Sequence, residues 1–266
     1  MTCDEGYRWA SIETMSILEG RVALITGAGA GIGRGVALAF ADEGATIVAA
    51  GRTQSTLDAL CGELTDRGAR SLAVACDVRE LDDISRCIDR TIADFGRLDI
   101  LVNNAQTYRH SYLLDATEDD FDTTWRSGPL AAFRSMRLAH PHLSKNNGVI
   151  VNFGSGVQLD SSESFHGVYA VAKNAIEALT RVAAVEWGPD GIRTMLIMPA
   201  AESPQLHAFQ ARDPDRFAQM LSRIPLGRFG DAELDIGRTI AWLVSDNARY
   251  MTGCTIMLDG GQMYLR

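Results

Sequence analysis

The chain has 266 residues, 46% hydrophobic and 22% charged, which suits one soluble α/β domain better than two linked ones. Its formal charge of −9 offers a nucleic acid or an anionic membrane surface no electrostatic footprint, and no apolar run reaches the ~18 residues of a membrane span. Five cysteines without a C-x-x-C pair fit reduced thiols in a cytoplasmic protein better than a stapled secreted scaffold.

Residues 1–16 carry Asp4, Glu5 and Glu13 and no basic leader before an apolar run, so they read as a flexible extension rather than a signal peptide. The domain proper is then 17–266. Its first predicted strand, 21–26, runs straight into Thr26-Gly27-Ala28-Gly29-Ala30-Gly31-Ile32-Gly33 and a helix over 32–43. Glycines between a strand and a helix N-terminus let backbone approach a pyrophosphate while free N–H groups and the helix dipole face it. Predicted strands at 45–50, 71–76, 98–103, 149–153, 194–198 and 255–258 follow. They alternate with predicted helices at 56–67, 82–95, 118–138, 168–187, 205–221 and 232–245. That alternation predicts a single-domain Rossmann-type fold: a doubly wound, seven-stranded parallel sheet with helices on both faces and a crevice at the strands' carboxyl ends.

The second strand ends at Ala50-Gly51-Arg52-Thr53. A guanidinium with no carboxylate there favours a 2′-phosphate, hence NADP(H), with NAD(H) as the alternative. The third strand leads to Asp77-Val78 and the fourth to Asn103-Asn104-Ala105. Ile150-Val151-Asn152-Phe153-Gly154-Ser155 is a strand running into a serine, with Ser161, Ser162 and Ser164 weaker candidates in the loop beyond. Tyr169 and Lys173 share a helix face at i, i+4, where an ammonium favours the phenolate of a group whose ordinary pKa is about 10. The histidines form no H-E-x-x-H pattern, and no metal site is expected.

Taken in order, the T-G-x-x-x-G-x-G loop, N-N-A, Ser155 and Y-x-x-x-K resemble the classical short-chain dehydrogenase/reductase family, from Leu18 to the end of the chain. The resemblance implies that Ser155 polarises a substrate carbonyl, that Tyr169 is the acid/base, and that Lys173 tunes it and holds the nicotinamide ribose. It places Gly27, Gly31, Ile32, Gly33, Arg52, Asp77, Val78, Asn104, Ala105, Tyr169, Lys173 and Pro199 at the cofactor. It implies interconversion of a ketone and a secondary alcohol, in a homotetramer or homodimer. The competing reading is a catalytically weak dinucleotide-binding regulator or structural subunit. An enoyl reductase is disfavoured because that group spaces its tyrosine and lysine more widely.

Four departures bear on activity. Gln106 replaces the glycine of N-N-A-G, and Gly128, followed by Pro129, stands where the family carries a helical asparagine that supports a relay water. Pro129 has no N–H, so the Trp125 carbonyl loses its helical donor, and the space at Gly128 is expected to let that carbonyl hold the water instead. Met195 replaces a common asparagine on the substrate side, and Pro199-Ala200 a common Pro-Gly. The proline-broken stretch 199–231 reads as a substrate lid, its Leu206, Phe209, Phe217 and Met220 facing either a partly apolar substrate or the core. Tyr108, His110 and Tyr112 are placed on the opposite wall.

Overall fold

The computed structural model describes residues 16–159 and 166–263. The sequence readings on residues 1–15 and on Ser161, Ser162 and Ser164 lie outside them. In chain order the elements are β1 (Val22–Thr26), α1 (Gly31–Asp42), β2 (Thr46–Gly51), α2 (Gln54–Asp66), β3 (Ser71–Ala75), α3 (Leu81–Phe95), β4 (Ile100–Asn103), α4 (Glu118–Ser127) and α5 (Pro129–Leu143). They continue with β5 (Val149–Phe153), α6 (Gly167–Trp187), β6 (Arg193–Pro199), α7 (Pro204–Arg212), α8 (Pro214–Ser222), a π-helical turn (Ala232–Gly237), α9 (Arg238–Val244) and β7 (Thr255–Leu258).

The seven strands form one parallel sheet in the order β3-β2-β1-β4-β5-β6-β7. Apolar residues face both ways along each central strand because both faces are covered. On one face Ile25, Ile47, Val102, Val151 and Ile197 pack against α1, α2 and α9 through Val36, Phe40, Leu57, Leu60 and Ile240. On the other, Leu24, Val48, Leu101 and Ile150 meet Ile84 and Ile88 of α3 and Met136 of α5. The strand order reverses between β1 and β4, so their carboxyl ends flank a crevice, the usual ligand position in such sheets.

Three predicted helices are broken, each for a local reason. The helix predicted over 118–138 divides at Gly128, where the backbone leaves helical geometry (φ −104°, ψ −97°) and Pro129 opens α5. The helix predicted over 205–221 is two, because Asp213 caps α8 by accepting the Arg216 N–H and Pro214 begins it. The last predicted helix starts with the π-helical turn, where α1 crosses so closely that a Cβ on Gly35 would lie 2.3 Å from the Ala232 carbonyl oxygen.

Candidate active site

The loop from β1 to α1 turns at Gly27 (φ 68°) and Gly31 (φ 55°), left-handed positions that favour glycine. Gly33 serves close approach: a Cβ there would lie 2.4 Å from the Gly27 carbonyl oxygen and 2.5 Å from Nδ2 of Asn104. Asn104 clamps the loop by donating Nδ2 to the Thr26 and Gly27 carbonyls (3.0 and 3.2 Å). The N–H groups of Asn104 and Ala105 both donate to the Thr26 hydroxyl (3.0 and 3.1 Å). The ends of β1 and β4 are thus stitched beneath the start of α1, whose N-cap Ala30 makes no side-chain hydrogen bond to the helix's first N–H groups. Those groups, with the bare glycine backbone, form a cradle that fits a dinucleotide pyrophosphate. Ile32 lies in the first turn of α1.

Arg52 is exposed just past β2, and its charge reaches Asp77. The Asp77 carboxylate is gripped by Arg79 (2.6 Å), which holds it below the usual carboxylate range, and the Asp77 N–H donates to Asp83 (2.9 Å). Val78 lies beside Asn104, Ala105 and Lys173 on a small cavity at the base of the crevice.

At the chemical end, β5 delivers Ser155 and α6 delivers Tyr169 and Lys173. The Ser155 hydroxyl lies close enough to the Tyr169 phenol to favour its phenolate. Lys173 is 4% exposed, donates to the Phe153 carbonyl (2.7 Å), and lies 5.4 Å from the centroid of the Tyr169 ring. Burial pushes its ammonium down to about 7. The expected help from lysine to tyrosine is not what dominates: burial, then Tyr108, holds the Tyr169 phenol well above its ordinary value, and only the Ser155 bond opposes them. Lys173 directs a hydrogen bond at Phe153, and burial disfavours its charged form.

Sequence reasoning missed the residues that hold this arrangement. Asn103 donates to Asn152 (2.9 Å), which donates to Thr180 (2.9 Å), a buried polar ladder tying β4 and β5 to α6. Gln158 accepts from the Ser155 N–H (3.1 Å) and donates to Glu177, so the loop bearing the serine is braced against the same helix. A lone asparagine inside the apolar run Val149–Phe153 was the available signal.

Tyr108 stacks on Tyr169 with centroids 3.9 Å apart and planes at 18°. His110 lies edge-on to Tyr108 and to His166, at 4.9 Å in both cases. Burial lowers the His110 pKa, and the charges of Arg212 at the end of α7 and Arg216 in α8 lower it further. The segment they belong to is pinned at its ends by the Gly230 N–H donating to the Ala200 carbonyl and the Glu202 N–H donating to the Gly230 carbonyl (both 2.9 Å), and at β7 by Ala200 donating to Leu258 (2.9 Å). Pro199 ends β6 beside β7.

Two of the expected departures resolve differently. Met195 is wholly buried in the core, so it packs the sheet instead of shaping the substrate side. The space at Gly128 is not open: the Gln106 side chain fills it, and a Cβ on Gly128 would lie 2.5 Å from Nε2 of Gln106.

A parallel sheet with a glycine-lined helix N-terminus at its switch point, beside a phenol, a hydroxyl and a buried amine, defines a dinucleotide-dependent oxidoreductase. Comparison with known proteins agrees. A family model described as enoyl-(acyl carrier protein) reductase matches residues 27–263. The 12α-hydroxysteroid dehydrogenase of a Clostridium species is 41% identical over 93% of this chain and 98% of its own. A short-chain dehydrogenase from Burkholderia cenocepacia, solved in complex with NADP, superposes with a TM-score of 0.85 at 29% identity, over 92% of this chain and 98% of that one. A 3-ketoacyl-(acyl-carrier-protein) reductase from Brucella melitensis, solved with NADH, gives 0.83 at 30% identity, over 92% and 99%. The chain belongs to the short-chain dehydrogenase/reductase family. It is an NAD(P)-dependent oxidoreductase that interconverts a carbonyl and an alcohol on a small-molecule substrate, and the regulator reading is not favoured. Among the described residues no helix is long and apolar enough to cross a membrane.

Proposed function

We propose that the protein is a cytoplasmic, NADP(H)-preferring reductase or dehydrogenase for a partly apolar ketone or secondary alcohol, working as a homotetramer or homodimer, with residues 199–231 as its lid. The observation that carries the catalytic assignment is the Ser155, Tyr169 and Lys173 cluster beside the glycine cradle. The nicotinamide supplies or accepts the hydride when bound. Gly27, Gly31, Ile32, Gly33, Arg52, Asp77, Val78, Asn104, Ala105 and Pro199 would hold the cofactor, with Tyr169 and Lys173 at its nicotinamide end. Ser155 donates to the substrate oxygen and orients it. Tyr169 passes its proton to that oxygen in reduction and takes it back in oxidation. Burial keeps the phenol protonated far into the alkaline range, which suits a proton donor; Lys173, when charged, stabilises the phenolate left behind.

NADPH preference rests on Arg52, exposed where a 2′-phosphate would lie and without a competing carboxylate on its own strand end. A partly apolar substrate is supported by the Tyr108 ring stacked on Tyr169 and by the hydroxysteroid dehydrogenase among the relatives. The test is a fluorescence titration with NADPH and NADH, followed by cofactor turnover against a ketone panel that includes steroids. Tyr169→Phe should bind cofactor and lose turnover, and Arg52→Asp should weaken NADPH by about tenfold or more while sparing NADH. Turnover surviving in Tyr169→Phe would remove the phenol from the mechanism. Equal NADPH affinity in Arg52→Asp would remove the basis of the cofactor preference.

A further inference from the structure

Gln106 follows the Asn103-Asn104-Ala105 run at the end of β4, and its side-chain amide is buried with neither Nε2 nor Oε1 hydrogen-bonded among the described residues. An amide shut away from solvent with both atoms unpaired is costly, so such sites are normally completed by water. The side chain is held there from two sides. The Thr107 N–H donates to the Ser127 hydroxyl (3.0 Å), which donates back to the Thr107 carbonyl (2.9 Å), fastening the chain after Gln106 to the end of α4. The next residue, Gly128, has no side chain, and its hypothetical Cβ would lie 2.5 Å from Nε2 and 3.0 Å from Cδ of Gln106. Gly128 is therefore what admits the amide.

The space this amide enters is the small cavity at the base of the crevice, whose lining includes Asn103, Gln106, Gly128, Ser135 and Lys173. Lys173 brings three donors to that wall when charged and places one on the Phe153 carbonyl. We propose that Gln106 is a positioning residue for proton transfer: its amide, admitted by Gly128, holds water against the Lys173 ammonium and links that amine to solvent. This rests on the assignment of Tyr169 and Lys173 as the proton-handling pair. In reduction the phenol gives its proton to the substrate oxygen, the phenolate recovers one from the Lys173 ammonium, and the amine recovers one from the water at Gln106. That water is in turn reprotonated from solvent. Oxidation runs the same chain backwards.

Gln106→Leu keeps the volume and deletes the amide; Gly128→Ala keeps the amide and displaces it. Both should lower kcat by about tenfold, the equivalent of one lost hydrogen bond, with KM and cofactor affinity within about twofold of wild type. In the cofactor-free protein, NMR titration of labelled Lys173 should show its midpoint falling in both variants, because water that solvates the ammonium favours the charged form. The paired change Gln106→Gly with Gly128→Asn, which returns an amide to the cavity from the helix side, should recover most of the lost kcat and the Lys173 midpoint. An unchanged Lys173 titration and unchanged kcat in Gln106→Leu, or in Gly128→Ala where the leucine variant fails to fold, overturns the proposal. Tyr169→Phe separates the two levels: if it is inactive while Gln106→Leu is not, only the relay is wrong; if Tyr169→Phe remains active, the assignment beneath it is wrong.

Discussion

Replacing Lys173 by methionine isolates the cost of holding an amine in the core. The group's ordinary value is 10.5, and in the fold burial brings it down to about 7. Between those values the unfolded chain binds a proton that the folded chain does not, so this group's contribution to stability rises with pH across the window and is least favourable below about 7. The full span corresponds to about 5 kcal/mol, of which roughly half falls between about pH 6 and about pH 9. Methionine cannot donate to the Phe153 carbonyl, which Lys173 reaches at 2.7 Å, and that loss of about 1–3 kcal/mol does not vary with pH. Urea unfolding followed by tryptophan fluorescence, on wild type and Lys173→Met at both pH values, gives the difference directly because other titrations cancel. Wild type should gain about 2–3 kcal/mol on the variant as the pH rises. A difference that stays flat within about 0.5 kcal/mol would mean that Lys173 is solvated in the fold and that the mechanism's weakly charged lysine is wrong.

Two further outcomes follow from the site. Tyr108→Ala removes the ring stacked on Tyr169 and admits water, so the Tyr169 phenol should titrate at lower pH, read as the phenolate absorbance that differs between Tyr108→Ala and the same variant carrying Tyr169→Phe; an unmoved transition would show that deeper burial alone sets the shift. Gly33→Ala forces a Cβ against the Gly27 carbonyl and Asn104, so it should cost about 1–3 kcal/mol of stability and at least about tenfold in NADPH and NADH affinity; unchanged binding would mean the loop yields freely and is no cradle.

Local chemistry made much of this protein readable from its residues. The apolar run Val22–Thr26 is buried along its whole length, as a central parallel strand requires, and the glycines after it occupy the turn and close-approach positions expected of them. Tyr169 and Lys173 share one helix because i, i+4 spacing is a property of the helix itself. The breaks at Gly128–Pro129 and Asp213–Pro214 had their signals in the sequence as well, but the apolar periodicity running across both prolines pointed to unbroken helices. Proline at the first position of a new helix satisfies the same pattern.

What the residues could not show depends on neighbours far apart in the chain. Gln106 fills the room left at Gly128 only because β4 and the α4–α5 junction meet there, and Tyr108 covers Tyr169 only because the loop after β4 folds across α6. The charge on Lys173 is set by how much protein surrounds it, and the grip on its helix by the Asn103, Asn152 and Thr180 ladder crossing two strands. Periodicity, turns and motif spacing are short-range and written along the chain. Desolvation and packing add contributions from every segment that the fold brings near, so the tertiary structure alone decided which amide stands in the cavity and how freely Tyr169 and Lys173 hold a proton.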